Sequence, residues 1–260
     1  MLRNITDTHA HYQDARFDED RDEVLAGLPQ KGVCRVINCG TDIPSSVESM
    51  RLAQRYDHVF FAAGVHPEDC AGPAENVDLT ALRGLLTHEK CVAVGEIGLD
   101  YYWQEVPRDL QNRFFEAQLL LANDLDLPVI VHDREAHGDT LAALKAHSPR
   151  GVLHCYSGSR ETMRELLKLG MYIGVGGAVT FKNAKKTVEI AKEVPLDRLL
   201  IETDCPYMAP TPFRGKRNDS SLLPYVLETV AGLRGISPQA LADQTAENAD
   251  RLFFSSRAHS

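Results

Sequence analysis

Strand-like segments dense in Val and Ile alternate with amphipathic stretches eight times along the chain, which restricts it to α/β architectures built on a parallel sheet. The strand-like segments are residues 4–7, 33–39, 59–63, 91–95, 128–131, 151–154, 172–174 and 199–202. Several are apolar on both faces, as a strand buried between two layers requires. The amphipathic stretches are 18–28, 45–55, 79–88, 107–123, 135–146, 159–168, 184–193 and 222–233, and a last helix is expected at 238–245. Ser45 and Ser159 are expected to cap helices, and Gly170 to stop the helix before it. Eight such units in 260 residues match a single (β/α)8 TIM barrel, an α/β fold spanning residues 1–260 as one domain. The competing doubly wound sheet usually has fewer strands and a glycine-rich first turn. Here the first turn is Asp7-Thr8-His9-Ala10-His11, without glycine.

A hydrophobic content of 43% with 25% charged residues excludes a disordered chain. No apolar run is long enough to cross a bilayer, and the N-terminus lacks a signal-peptide pattern, so a cytoplasmic protein without a membrane partner is expected. Cys34, Cys39, Cys70, Cys91, Cys155 and Cys205 are scattered and are read as reduced core thiols. Cys155 should face away from its neighbour His154; Cys205 is less constrained. A net charge of −9 excludes a general nucleic-acid coat but leaves room for a local basic pocket. A monomer is expected.

The polar residues that close the apolar strands carry the chemistry. His9 and His11 follow the first strand, two apart, so both imidazoles point the same way. His66 follows the third strand, Glu96 the fourth, His132 the fifth, His154 the sixth and Asp204 the eighth. One such residue reads as a satisfied rim histidine. So many at the mouth where barrel enzymes do their chemistry call for a cation, since their joint desolvation would otherwise be costly. Imidazole and carboxylate donors suit Zn²⁺, Mn²⁺ or Fe²⁺, with Mg²⁺ where carboxylates dominate. Six donors exceed one tetrahedral ion, and two divalent metal ions would use them all, with Glu96 as the bridge. Asp7 is either a partner fixing an imidazole tautomer or a buried carboxylate bonded to backbone. His58, His88, His147 and His259 are read as solvated, and His137 as a rim residue.

The motifs Asp7-Thr8-His9-Ala10-His11, Gly64-Val65-His66-Pro67, Gly95-Glu96-Ile97-Gly98-Leu99-Asp100-Tyr101, His154-Cys155-Tyr156-Ser157-Gly158, Glu202-Thr203-Asp204-Cys205-Pro206-Tyr207 and Arg214-Gly215-Lys216-Arg217-Asn218 resemble the TatD family of metal-dependent hydrolases, in its YcfH/YabD branch. That family lies in the amidohydrolase superfamily, and the likeness runs on to Ala246-Glu247-Asn248-Ala249. The resemblance implies a metallo-dependent hydrolase barrel with two metal sites. His9, His11, Glu96 and Asp204 would hold one ion, and Glu96, His132 and His154 the other. It also implies hydrolysis of DNA phosphodiesters by a 3′-to-5′ exonuclease, with D-aminoacyl-tRNA deacylation as the alternative. Two departures stand out: Asn218 is followed by Asp219-Ser220-Ser221 rather than by an acidic-Pro run, and Glu68 stands where some relatives carry His.

On this reading Asp204 and Glu96 are the catalytic carboxylates, with Asp204 taking the proton of the attacking water. His66, Arg214, Lys216, Arg217 and Asn218 are expected to contact the substrate, and Asp7 and Glu202 to support the ligands. The loops after strands seven and eight often bind phosphate in barrels. Here they carry Gly174-Val175-Gly176-Gly177 and the Arg214–Arg217 cluster, whose bland reading is a solvated basic loop. Tyr101, Tyr102 and Trp103 either stack bases of a single strand or form an apolar lid. Superfamily amidases that bridge their metals with a carboxylated lysine are disfavoured, since Glu96 stands at that place. A non-catalytic scaffold is the remaining class, and no ligand position is missing.

Overall fold

The computed structural model describes residues 1–71 and 79–255; His259 lies outside the described residues. Eight parallel strands form one sheet in chain order: β1 (Ile5–Ala10), β2 (Val33–Cys39), β3 (Val59–Ala63), β4 (Cys91–Asp100), β5 (Val129–Arg134), β6 (Gly151–Leu153), β7 (Tyr172–Val175) and β8 (Leu199–Ile201). The sheet curls until the exits of β1 and β8 meet. Ala10 bridges Cys205, His11 N–H donates to Cys205 O at 2.7 Å, and Asp204 N–H donates to His9 O at 2.9 Å. The expected TIM barrel is therefore present.

Helices α1 (Arg21–Gly27), α2 (Ile43–Arg55), α3 (Thr80–Leu86), α4 (Arg108–Asp124), α5 (His137–His147), α6 (Arg160–Lys168), α7 (Lys185–Glu193) and α8 (Leu223–Arg234) surround it, followed by α9 (Pro238–Ala249). Ser159 caps α6 as expected, its side chain accepting from Thr162 N–H. Ser45 does not cap α2. Asp42 holds that place, and Ser45 is its reciprocal partner in a capping box, because the helix starts two residues earlier than the apolar pattern suggests. Gly170 follows α6 with φ +81°, a conformation that favours glycine.

Two apolar layers hold the barrel. Outward residues such as Val36, Val94, Val129, Val131 and Leu153 pack under the helices. Inward residues Ile37, Ala62, Val92, Ile130, Val152, Tyr172 and Leu200, one from each of β2 to β8, fill the interior. Leu252 and Phe253, just beyond α9, belong to that inner cluster and plug the floor. Burying each contributes roughly 1.5–3 kcal/mol. With the floor packed, the opposite mouth is the open end.

β4 runs five residues past its expected end at residue 95. Val94 pairs with Val129 and Ile97 with Val131, so β4 carries one residue more than β5 across this step. Such a bulge re-aims the side chains beyond it. Ile97 and Leu99 face the helix layer, which sends Glu96 and Asp100 to the barrel side. Gly98, between them, has φ +143°, and a Cβ there would stand 2.0 Å from His132 O, so only glycine lets β4 lie this close to β5.

Candidate metal centre

His9, His11, Glu96, His132, His154 and Asp204 converge at the mouth although they come from β1, β4, β5 and the exits of β1, β6 and β8. Glu96 stands at the centre. Its Oε2 lies 3.3 Å from His9 Nε2 and 3.4 Å from His11 Nε2. Its Oε1 lies 3.0 Å from His132 Nδ1 and 2.8 Å from His154 Nε2. Asp204 Oδ1 completes the first group, 3.7 Å from His9 Nε2 and 3.4 Å from His11 Nε2. The two nitrogens of His9 and His11 are 2.9 Å apart. Donor atoms around a first-row divalent ion, with bonds of about 2.0–2.2 Å, are separated by roughly 3–3.5 Å. The spacings, 2.8–3.7 Å, lie near that edge length, so the donors on either side of Glu96 could hold a divalent cation.

His66 was expected among substrate contacts. Its Nε2 lies 3.5 Å from Glu96 Oε1, and its ring meets His132 edge-on at 4.5 Å, so it joins the second group of donors. His66 Nδ1 accepts from Glu68 N–H at 3.2 Å, which leaves Nε2 aimed at the centre.

Groups behind the donors hold them. His11 Nδ1 is fixed by Cys39 O at 2.9 Å. His132 Nε2 is fixed by Asp100 Oδ2 at 2.8 Å, and Asp100 Oδ1 also accepts from Tyr102 N–H and Trp103 N–H. Sequence reading missed Asp100, because it took residues after Gly95 as loop; the alternation Glu96, Gly98, Asp100 was the available signal. Glu202 supports His154 loosely: its Oε1 accepts from Cys155 N–H and stands 3.8 Å from His154 Nδ1. Asp7 takes the second of its two expected roles. It accepts from His9 N–H, Thr203 N–H, Thr203 Oγ1 and Ser220 Oγ, tying the exits of β1 and β8 together without touching an imidazole. Ser220 lies in the run that departs from the family pattern and supplies that bond.

Charge balance within the centre follows from burial. Desolvation opposes ionisation of Glu96, but His154, His9 and His66 hold it well below the usual carboxylate range. Burial pulls His132 and His11 down, yet bonds to Asp100 and Glu96 lift His132 to about 10. Those to Asp204 and Glu96 lift His11 to about 9. Burial and the neighbouring His154 lower His9 to about 4. Burial raises Glu202 to about 8. The buried carboxylates thus favour the protonated forms of His11 and His132. Cys155 and Asp204 sit at φ +43° and +58°, a strain of order 1–3 kcal/mol that marks the rim of the site.

The centre opens into a cleft of about 910 Å³. Its walls include Gln13, Thr41, Trp103, Arg134, Cys155 and Tyr207. Cys155 therefore faces the cleft rather than the core, because β6 ends at Leu153 and the chain turns before it. Cys39, Cys70, Cys91 and Cys205 are buried, whereas Cys34 is exposed.

The basic loop lies elsewhere. Arg217 is bound to Asp20 through two bonds of 2.7 and 2.6 Å and rests on Phe17. Asn218 is buried and donates to Thr203 O and Tyr207 O, bracing the loop that carries Asp204. Arg214 stacks on Phe181, and Lys216 is exposed; neither lines the cleft. Gly177 serves packing, since a Cβ there would meet Met208 O at 1.9 Å. Tyr101 is buried and donates to Asp139, while Tyr102 and Trp103 are exposed. His58 is half-buried on Leu25 O rather than solvated, and His137 pairs with Asp133.

The model of the family described as "TatD related DNase" matches residues 6–254. The chain belongs to this family. It is 44% identical over 252 residues to the "Uncharacterized metal-dependent hydrolase YabD" of Bacillus subtilis, covering 96% of this chain and 98% of that one. It is 38% identical over 247 residues to the "3'-5' ssDNA/RNA exonuclease TatD" of Citrobacter rodentium, covering 92% and 94%. Among solved structures, the TatD homologue YjjV of Escherichia coli K12 superposes with a TM-score of 0.89 at 33% identity, over 97% of this chain and 99% of that one. As a TatD-family member the chain is a metal-dependent hydrolase, and the His, Glu and Asp groups gathered at this mouth could hold its metal. Among the described residues no helix is long and apolar enough to cross a membrane.

Proposed function

We propose that this single-domain barrel is a two-metal phosphodiesterase that removes nucleotides from the 3′ end of single-stranded DNA. The observation that carries the reading is the division of Glu96: each oxygen faces its own set of imidazoles, at the base of a cleft large enough for a nucleotide. His9, His11, Glu96 and Asp204 are assigned to one ion, and Glu96, His132 and His154 to the other, with His66 beside the second. The donor set suits Zn²⁺, Mn²⁺ or Mg²⁺. Ions bound there supply Lewis-acid stabilisation of phosphoryl charge and a water-derived nucleophile at neutral pH.

The chain's own residues handle protons and position. Asp204 is the more exposed of the two central carboxylates, 19% against 4% for Glu96, and so it meets both water and substrate. It accepts the proton of the attacking water and delivers it to the sugar oxygen as the P–O bond breaks. Exposed rings of Trp103 and Tyr207 on the cleft walls offer faces for unpaired bases. The printed activity of the Citrobacter relative supports the polarity and the single-stranded substrate.

The test is incubation of the purified chain with end-labelled single-stranded DNA, and in parallel with D-aminoacyl-tRNA, across Mg²⁺, Mn²⁺ and Zn²⁺ with and without chelator. Chelator-sensitive release of mononucleotides from the 3′ end is expected. Intact DNA beside deacylated tRNA would replace the phosphodiesterase reading with an ester hydrolase. Inertness toward both, with metal bound, would favour a scaffold.

A further inference from the structure

We propose that Arg134, seated against Tyr102 and Trp103, forms a subsite for one backbone phosphate of a single-stranded substrate, with Trp103 stacking on the adjoining base. The inference rests on the nucleic-acid reading above and adds where the strand runs. Arg134 follows His132 by two positions on β5, so both project to the barrel side and toward the mouth. Among the described residues lining the cleft, it is the one Arg or Lys. Other arginines near the mouth are engaged by carboxylates: Arg16 by Asp14 and Arg217 by Asp20. Arg134 makes no such pair among the described residues. Its guanidinium lies 3.8 Å over the Tyr102 ring and 5.6 Å from that of Trp103. A guanidinium stacked by its face keeps the N–H donors on its edge free, in the fork that fits a phosphate.

The platform is tied to the metal centre through one residue. Asp100 binds His132 Nε2 with one oxygen and the N–H groups of Tyr102 and Trp103 with the other. The backbone of Asp100 stands in register with that of Arg134 across β4 and β5, and Tyr101 N–H donates to Arg134 O at 2.9 Å. The position of Arg134 relative to Glu96 is therefore set by the register of β4 and β5. Trp103 also lines an adjoining pocket of about 310 Å³ with Glu105, while Glu68 lines both that pocket and the cleft, so Arg134 is the cationic side chain available to a phosphate among the carboxylates there.

Trp103 is the single tryptophan of the chain, so its fluorescence reports on the subsite alone. The metal-loaded full chain is titrated with a short phosphorothioate oligothymidylate that resists cleavage, over a range of salt concentrations. Quenching on binding is expected. Arg134→Ala should weaken binding about tenfold, the order of a charge-assisted hydrogen-bonded contact. It should also flatten the slope of log affinity against log salt by about 0.7, the value for one phosphate on a single strand. Arg134→Lys should restore the slope but only part of the affinity. An unchanged slope in Arg134→Ala, or no change in fluorescence while the oligonucleotide binds, overturns the subsite. If the wild type cleaves DNA with metal and the slope is unchanged, the subsite fails and the nuclease reading stands. If the wild type neither binds nor cleaves DNA, the nuclease reading fails and takes the subsite with it.

Discussion

Replacing Asp100 with Asn tests whether the group behind His132 governs one cation and not the other. The carboxylate is fully buried and accepts on both oxygens: from His132 Nε2 at 2.8 Å on Oδ2, and from Tyr102 and Trp103 N–H at 2.9 and 3.2 Å on Oδ1. An amide of the same shape has one acceptor and one donor. If its oxygen faces the backbone N–H groups, its NH₂ confronts the N–H of His132; if it turns, the NH₂ confronts the backbone. Either way one donor is left unmatched in a buried place. The loss also removes the charge that holds the His132 tautomer with Nδ1 toward Glu96. Partners behind metal ligands typically contribute about 10–100-fold in metal affinity, roughly 1.4–2.7 kcal/mol. On the proposed two-site assignment, Asp100→Asn should therefore weaken the Zn²⁺ site at His132 and His154 by that factor, and leave the site at His9, His11 and Asp204 within about threefold. Competition titration against a chromophoric chelator reads both affinities and the stoichiometry. Two sites of undiminished affinity would refute the argument, as would equal weakening of both.

Asp204→Asn should keep the fold and lower turnover by about two to four orders of magnitude, the range for loss of a general acid–base group; a near-normal rate with metal bound, in a steady-state assay, removes Asp204 from that role. A pH series separates protons from cations. Because His11 and His132 stand at about 9 and about 10 against 6.5 in the unfolded chain, their stabilisation of the metal-free protein is complete below about 6.5 and fades as pH rises through those values. Cations bind deprotonated imidazole, so metal affinity rises over the same window. The gap between metal-loaded and metal-free melting temperatures should therefore widen from about pH 6 to about pH 9. A constant gap would mean that these imidazoles do not exchange protons for metal.

The barrel and the central donors were legible in the sequence for the same reason. Each strand is a local apolar run, and each donor closes such a run, so strand alternation brings His9, His11, Glu96, His132, His154 and Asp204 to one mouth once the sheet closes. Asp100 was legible only through the alternation Glu96, Gly98, Asp100, which counts once β4 is known to run past Gly95. The bulge that prolongs β4 depends on pairing with β5, a segment some thirty residues further along, and a single strand carries no record of its partner's register. Arg217 looked like a phosphate ligand because its charge was visible and Asp20, nearly two hundred residues away, was not. Cys155 looked like core because the alternation rule was carried two residues past the end of β6.

Local order thus sufficed for the kind of fold and for the type of chemistry, since apolar periodicity and residue type are properties of neighbours along the chain. Tertiary contact alone decided which oxygen of Glu96 meets which imidazole, which arginine faces the cleft without a carboxylate partner, and which carboxylate steadies His132. Electrostatic and hydrogen-bonding roles belong to pairs of groups, and those pairs exist only after residues remote in sequence have been packed together.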